Sequence, residues 1–365
     1  MKKLSLLLAA GILFLGACSD PSSTEESKEK APSSDQNKPK KEKKENEEPK
    51  KDEQPFKPLE PSEDAVSLDK TLTEKEQQNI PELQAALVEN PQRTVPVGET
   101  LAEGVKDPSD GPLKDHRLVA YYGTPDSENM GILGELEPEE YMKKLKEQTQ
   151  AYSDADPDRP AVPTIELITT MAQSEPGPDG DYVRMTSEEN IEEYVKLAKK
   201  HDALVLLDIQ LGTDTVMEQV KMVEKWLKHP HVHLAIDTEF HVAEGEKPGE
   251  DLGQVDGKEI QKAVEYVSKL TEKNDLPDKF VLVHQFTGAV LTNKEAIQPT
   301  DNVEVAINFD GWGASADKQA LYGKYIRNEP NQYGAFKIFY DKDVPVLEPE
   351  DVLKMEPSPA IINYQ

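Results

Sequence analysis

The stretch that decides the fold runs from Ala203 to Phe240 and reads ALVLLDIQLGTDTVMEQVKMVEKWLKHPHVHLAIDTEF. It begins and ends with a short apolar run, which is typical of a strand buried on both faces. Between the two runs, apolar residues recur at the spacing of one helix face, at Val216, Val220, Val223 and Leu227. This strand–helix–strand unit predicts two neighbouring parallel strands covered by a helix.

The same unit recurs along the rest of the chain. Further β-type runs are predicted at 118–122, 164–171, 280–286, 303–309, 334–340 and 360–364, and helical segments at 138–152, 187–201, 260–270, 294–297, 317–326 and 349–355. Eight strands that alternate with helices over about 250 residues predict an α/β fold, a (β/α)8 TIM-like barrel covering residues 115–365. An open doubly wound sheet is the alternative. Its usual nucleotide site is not predicted, because no Gly-rich loop follows the first strand.

The N-terminus has the pattern of an export signal. Residues 1–17 start with Met-Lys-Lys and continue with an apolar run shorter than the ~20 residues that a membrane-spanning helix needs. The segment Leu15-Gly16-Ala17-Cys18 resembles the lipobox of bacterial lipoproteins. This resemblance implies cleavage before Cys18, a diacylglyceryl group on its sulfur, and anchoring at the extracytoplasmic face of the cell membrane. Because Cys18 is the one cysteine in the chain, neither an intramolecular disulfide nor a cysteine-based zinc site is expected.

Residues 18–67 are predicted to form a disordered, charged tether. Between Asp20 and Asp64 there are 10 Lys and 14 acidic residues, and Phe56 and Leu59 are the main apolar exceptions. Such a segment cannot bury enough apolar surface to offset the entropy of ordering. Residues 68–114 are expected to form a helical prelude, centred on Thr73–Glu89, and a Pro/Gly-rich connection to the barrel.

The charge balance limits the partners of the protein. The 365 residues include 71 Asp and Glu against 42 Lys and Arg, a formal charge of -29. Nucleic acids and anionic polymers are bound through basic patches, so we expect no nucleic acid partner and no direct adhesion to anionic lipid. The oligomeric state is left open.

Polar residues follow the apolar part of nearly every predicted strand, at its C-terminal end. They are Tyr121, Tyr122, Glu166, Thr170, Asp208, Gln210, Asp237, Glu239, His241, His284, Gln285, Asn308, Asp310, Asn363 and Tyr364. In a barrel these ends converge on the face that carries the chemistry. Since an unpaired charge in a buried strand is costly, we predict one shared polar pocket. The alternative is a set of carboxylates that pair with each other's donors and only stabilise the barrel.

The segment Asp237-Thr238-Glu239 is the sharpest local feature. Alternation along a strand places both carboxylates on one face, ~6.6 Å apart. Glycosidic hydrolysis uses a protonated acid and an ionised carboxylate, and mutual repulsion would raise one pKa. We therefore predict Glu239 as the general acid and Asp237 as its partner.

The Asp-x-Glu of the fourth strand resembles the motif of TIM-barrel glycoside hydrolases, namely the lysozyme-like family 25 and the chitinase-like family 18. The resemblance implies glycosidase roles for Asp237 and Glu239, with Asp310 as a candidate third carboxylate. The chain departs from these families in two places. Tyrosines stand on strand one where the lysozyme-like family has an Asp, and the Asp-rich signature of the chitinase-like family is absent.

The first hypothesis is thus a membrane-anchored, glycoside-hydrolase-like enzyme acting on a cell-wall or exopolysaccharide glycan, with no cofactor and no metal. The residues expected to bind the substrate are Tyr122, Asp208, Gln210, His284, Asp310 and Trp312. A second hypothesis is a non-catalytic barrel that binds a carbohydrate or an envelope protein. A third is a metal-dependent phosphodiesterase, with ligands from Asp208, Asp237, Glu239, His241 and His284. The histidines at 229, 231 and 233 lie where the third helix leads into the fourth strand and are assigned to the surface or to packing, with a metal site as the alternative.

Overall fold

The computed structural model describes residues 54–71, 93, 95–102, 104–178, 180–327 and 333–365. The predicted signal peptide, Cys18, the first part of the tether and the helix at Thr73–Glu89 lie outside the described residues. Of the helices described, none is long and apolar enough to cross a membrane.

Eight parallel strands close into a barrel, which confirms the predicted fold class. The strands are β1 Arg117–Gly123, β2 Ala161–Ala172, β3 Leu204–Gly212, β4 Val232–His241, β5 Lys279–His284, β6 Val303–Phe309, β7 Tyr333–Ile338 and β8 Ile361–Tyr364. Strand β1 closes the ring because Leu118 pairs with Ile361 of β8 on one side and with Val162 of β2 on the other. The predicted runs match these strands to within about three residues at either end.

The helices that cover the barrel are α1 Pro138–Ala155, α2 Glu188–Lys200, α3 Val216–Leu227, α4 Gly257–Lys273, α5 Ser315–Ile326 and α6 Pro349–Leu353. Their start points follow from capping residues. The Ser187 side chain accepts a hydrogen bond from the backbone of Asn190 at the start of α2, and Thr215 and Glu218 form a reciprocal capping box on α3. After β5 only a single 3-10 turn, Lys294–Ala296, takes the place of a helix.

The side chains inside the barrel change from apolar to polar along each strand. The lower part is filled by an apolar cluster that includes Leu118, Leu206, Ala235, Leu282, Ala306, Ala335 and Ile361. Because side chains alternate along a strand, the next inward positions toward the C-terminal end carry polar residues, namely Asp208, Asp237, His284, Asn308, Lys337 and Asn363. The barrel therefore has an apolar floor beneath a polar layer.

The last part of the predicted tether packs on the barrel. Residues 54–67 were assigned to a disordered region, but Phe56 is buried and packs edge-on against His116 at 5.5 Å between ring centres. The backbone N–H groups of Lys57 and Leu59 donate to the carbonyls of Asp202 and Ala161 at 2.9 and 2.8 Å. Phe56 supplies the apolar surface that the rest of the tether lacks, so this part of the chain can stay on the N-terminal end of the barrel.

Candidate active site at the C-terminal end of the barrel

Strand β4 carries the predicted carboxylate pair. Asp237 is 3% exposed and lies in register between Gln210 of β3 and His284 of β5. Glu239, two residues further along, is only partly buried, so it sits nearer to the mouth of the barrel. The two carboxylates thus face the same space at different depths.

His284 of β5 links two further carboxylates. Its Nε2 atom lies 2.9 Å from Oε1 of Glu166 on β2, and its Nδ1 atom lies 3.0 Å from Oδ2 of Asp310, just after β6. The side-chain amide of Asn363 donates to the other oxygen of Glu166. Burial disfavours a charged ring, but the hydrogen bonds to Asp310 and Glu166 outweigh it, and the pKa of His284 is raised well above its ordinary value. The arrangement fits an imidazolium between two carboxylates.

A second chain of hydrogen bonds joins β1 to β3. The Tyr122 hydroxyl donates to Oδ2 of Asp208 at 3.2 Å and accepts from the side-chain amide of Gln210 at 3.2 Å. The side-chain oxygen of Gln210 is fixed in turn by the backbone N–H of Ala172 at 3.0 Å. These bonds hold one oxygen of Asp208 and leave the other facing the interior.

Lys337 of β7 places an ammonium group in the same layer. Its side chain is buried, and Nζ lies 3.4 Å from the centre of the Tyr122 ring, a cation–π contact. Phe339 contributes a second aromatic face, 5.3 Å from Nζ. With His284, Lys337 brings the number of basic side chains in this layer to two.

Three carboxyl groups of the site hold their protons unusually well. Burial, and then the charge of Asp310, raises the pKa of Glu239 to about 7. Burial, opposed by the charge of His284, raises the pKa of Asp208 to about 6. Burial and the neighbouring Glu239 raise the pKa of Asp237 well above its ordinary value. Near neutral pH the site therefore contains both protonated and ionised carboxyl groups.

The structure brings together seven of the eight predicted site residues through the contacts and charges described above. They are Tyr122, Asp208, Gln210, Asp237, Glu239, His284 and Asp310. Trp312 lies apart from them. It is 66% exposed in the loop after β6, with Nζ of Lys342 at 5.6 Å from its ring centre. Trp312 is therefore a residue of the rim rather than of the buried layer.

Four residues of the layer had no role in the sequence analysis, namely Glu166, Asn308, Lys337 and Asn363. Glu166 and Asn363 stood among the polar residues at strand ends, and only the tertiary contact with His284 distinguishes Glu166 from the others. Lys337 could have been found from the sequence, because a lysine inside the predicted strand Gly334–Tyr340 is unusual in a buried position.

Glu166, Asp208 and His284 could hold a metal ion, since one ligand atom of each lies within 4.8 Å of the others. Metal binding requires a neutral imidazole nitrogen, whereas both ring nitrogens of His284 are within hydrogen-bonding distance of carboxylates. The donor set therefore fits a divalent ion only if His284 loses a proton and leaves one of these partners. The histidines around the start of β4 are packed elsewhere: His231 contacts the carbonyl of Val195 at 2.9 Å, and His233 stacks on Phe280 at 4.2 Å.

Comparison with known proteins found similarity among solved structures alone. No family model matches the chain, and no curated protein matches it. Among solved structures, it is similar to a GH5-4 broad specificity endoglucanase from Clostridium acetobutylicum, with a TM-score of 0.33, 14% identity, and coverage of 55% of this chain and 74% of that one. It is also similar to the catalytic domain of alkaline cellulase K, with a TM-score of 0.31, 12% identity, and coverage of 60% of this chain and 64% of that one. At these TM-scores the likenesses carry no argument about the fold or the reaction.

Proposed function

We propose that the protein hydrolyses a glycosidic bond at the C-terminal end of the barrel. Glu239 donates a proton to the oxygen of the leaving sugar, and Asp310 is the second carboxyl group, which acts on the sugar or on the attacking water. A cell-wall or exopolysaccharide glycan is the proposed substrate class.

The observation that carries this proposal is the half-buried position of Glu239 near the mouth of the barrel, which raises its pKa. A general acid works best when its pKa is close to the operating pH, and the pKa of Glu239 is raised to about 7. Its partly exposed position near the mouth of the barrel would let it reach a bound chain. The carboxyl groups of Glu166, Asp208 and Asp237 are more deeply buried.

Asp310 suits the role of partner carboxyl group better than Asp237, which the sequence analysis had favoured. The pKa of Asp237 is raised well above its ordinary value because the group is buried, so Asp237 holds its proton more tightly than an ordinary carboxyl group. Asp310 is instead paired through Oδ2 with His284, and its Oδ1 atom is buried without a hydrogen-bond donor among the described residues. That oxygen is available to a substrate or to a water molecule.

The remaining predicted residues would position the sugar. Tyr122, Gln210 and Asp208 form a rigid hydrogen-bonded wall, and Lys337 stands against it. Trp312, at the rim, offers an exposed ring on which a sugar could stack.

We further propose that lipid on Cys18 anchors the protein at the extracytoplasmic face of the membrane, where such a glycan would be within reach.

The experiment is a screen of the full chain against peptidoglycan and common polysaccharides, followed by Glu239→Gln. We expect the amide to reduce turnover by ~10²–10⁴-fold while leaving binding close to that of the wild type. Glu244→Gln is the matched control, because Glu244 is an exposed residue of the loop after β4. Unchanged turnover in Glu239→Gln would reject the catalytic assignment. Glycan binding without turnover by any form would favour the non-catalytic binding barrel.

A metal-dependent phosphodiesterase is the second candidate, and the cluster of Glu166, Asp208 and His284 favours it. Elemental analysis after dialysis and activity in the presence of a chelator separate the two candidates. The glycosidase proposal expects turnover to be unchanged by the chelator. A stoichiometric metal that is lost in Asp208→Asn and is needed for phosphodiester cleavage would support the second candidate instead.

A further inference from the structure

We infer that the glycan carries free amino groups, and that Asp237 binds one ammonium group of an unacetylated amino sugar. This inference rests on the proposed function and adds the chemical class of its substrate.

The polar layer has a surplus of hydrogen-bond acceptors. Among the described residues, six buried side-chain oxygens in or beside it have no donor: Oδ1 of Asp208, Asp237, Asp310, Asn308 and Asn363, and Oε1 of Gln285. Buried polar atoms are normally satisfied, so each calls for a donor from a ligand or a water molecule. Lys337 makes cation–π contacts but no hydrogen bond or ion pair to the described residues. The other cation of the layer, His284, already has a carboxylate at each ring nitrogen. A ligand that fits this layer must therefore bring mostly donors.

The charges in the layer point to a cationic donor. Five carboxyl groups converge here, those of Glu166, Asp208, Asp237, Glu239 and Asp310, against the two cations His284 and Lys337. Hydroxyl groups of a neutral glycan would satisfy the acceptors but bring no charge to stabilise the ionised form of these buried carboxyl groups. An ammonium group does both, because it brings three N–H donors and a positive charge.

Asp237 is the carboxylate best placed to take that ammonium. Glu166 and Asp310 are already bound to His284, and Asp208 accepts from Tyr122. The carboxyl group of Asp237 is 3% exposed and has no hydrogen bond or ion pair to the described residues. Burial and the charge of Glu239 raise the pKa of Asp237 well above its ordinary value in spite of the charge of His284, whereas a bound ammonium would stabilise the ionised form.

The charge of the whole chain favours the same class of ligand. A formal charge of -29 attracts a cationic polymer over long distances and repels an anionic one. Uronate- or phosphate-rich glycans would therefore meet both an unfavourable field and a layer that is short of donors.

Binding to three matched oligosaccharides tests the inference. The probes are β-linked oligomers of equal length that carry an ammonium, an acetamide or a hydroxyl group at the same carbon of each sugar. They are titrated calorimetrically into the full chain with Glu239→Gln, which allows binding without turnover. We expect the ammonium oligomer to bind at least tenfold more tightly than the other two, by a margin that narrows as salt is added.

The Asp237→Asn change, made in the same background, should remove that preference, while Asp251→Asn in an exposed loop should keep it. Equal affinity for the three oligomers, a preference for acetamide or hydroxyl, or no binding at all would overturn the inference. If Asp237→Asn does not fold, the test is the salt dependence of ammonium-oligomer binding to the Glu239→Gln protein. Glu239-dependent turnover of an acetamide or hydroxyl oligomer without any amine preference would leave the proposed function intact and reject only the substrate class.

Discussion

The Nε2 atom of His284 lies 2.9 Å from the Oε1 atom of Glu166, across the interior of the barrel. The other ring nitrogen is 3.0 Å from Asp310, so the imidazole is bound by a carboxylate on each side. A histidine that donates two such bonds must carry both protons. The ring thereby holds Asp310 in place and supplies a buried positive charge to the site.

Histidine 284 should therefore remain protonated well above the pH at which an ordinary histidine titrates. The hydrogen bonds from its ring raise its pKa well above the ordinary value of 6.5 in spite of burial. Nitrogen-detected NMR of the full chain, with His284→Gln used to assign its signal, measures this directly. Titration of the ring near its ordinary pKa would contradict the imidazolium assignment.

Turnover should fall as the pH rises through about 7, because Glu239 then loses the proton that it must donate. The charge of Lys337 lowers the pKa of Glu239, so Lys337→Met should move this alkaline limb to higher pH. The measurement is kcat/KM against pH for both proteins on the glycan found in the screen. If the alkaline limb of kcat/KM lies at the same pH in Lys337→Met as in the wild type, the titrating group is not Glu239.

Glu239→Gln should gain stability relative to the wild type as the pH rises. The pKa of Glu239 is about 7 in the folded protein against 4.5 for the ordinary group, so the folded chain binds the proton more tightly. The stabilising contribution of this proton is complete below about pH 4.5 and is lost as the pH rises through about 7. The free energy of unfolding of the variant should exceed that of the wild type by on the order of 2 kcal/mol at alkaline pH.

Denaturant unfolding at a series of pH values checks this expectation, with Glu244→Gln as the control. The difference between variant and wild type should grow with pH for Glu239→Gln and stay flat for the control. A difference that is independent of pH would mean that the Glu239 carboxyl group keeps its ordinary pKa.

Cys18→Ala should release the protein from membranes or leave its signal uncleaved, because lipid on Cys18 is the proposed anchor. Fractionation of cells and the mass of the N-terminal peptide measure both effects. Ser19→Ala is the matched control and should behave as the wild type. A Cys18→Ala protein that stays in the membrane fraction with a normal N-terminus would rule out the lipobox prediction.

Local patterns were sufficient for the architecture. Strands buried on both faces are mostly apolar, as in Leu204–Gly212. In amphipathic helices the apolar residues recur every three to four positions. Both patterns can be recognised without knowledge of tertiary contacts. The segment at 54–67 shows where this reasoning fails. Its composition predicts disorder, but a single aromatic side chain, Phe56, attaches it to the barrel.

The residue types of the site were also readable, because a charge at the end of an apolar strand is conspicuous. Asp208, Asp237, Glu239, His284 and Asp310 were all found in this way. Their roles were not, since a role depends on which side chains meet across the barrel. The carboxyl group of Asp237 belongs to the same Asp-x-Glu motif as that of Glu239, yet their depths differ, and so do their neighbours.

The sequence by itself determined the alternation of strands and helices, the acidic character of the chain and the set of polar residues at the strand ends, because each is a property of neighbours along the chain. Only the tertiary structure decided that Glu166 lies against His284 and Lys337 against Tyr122, over sequence separations of more than one hundred residues. Closure of the barrel brings these groups together. Protonation depends on burial and on charges a few ångströms away, so it is set by that closure and not by the local sequence.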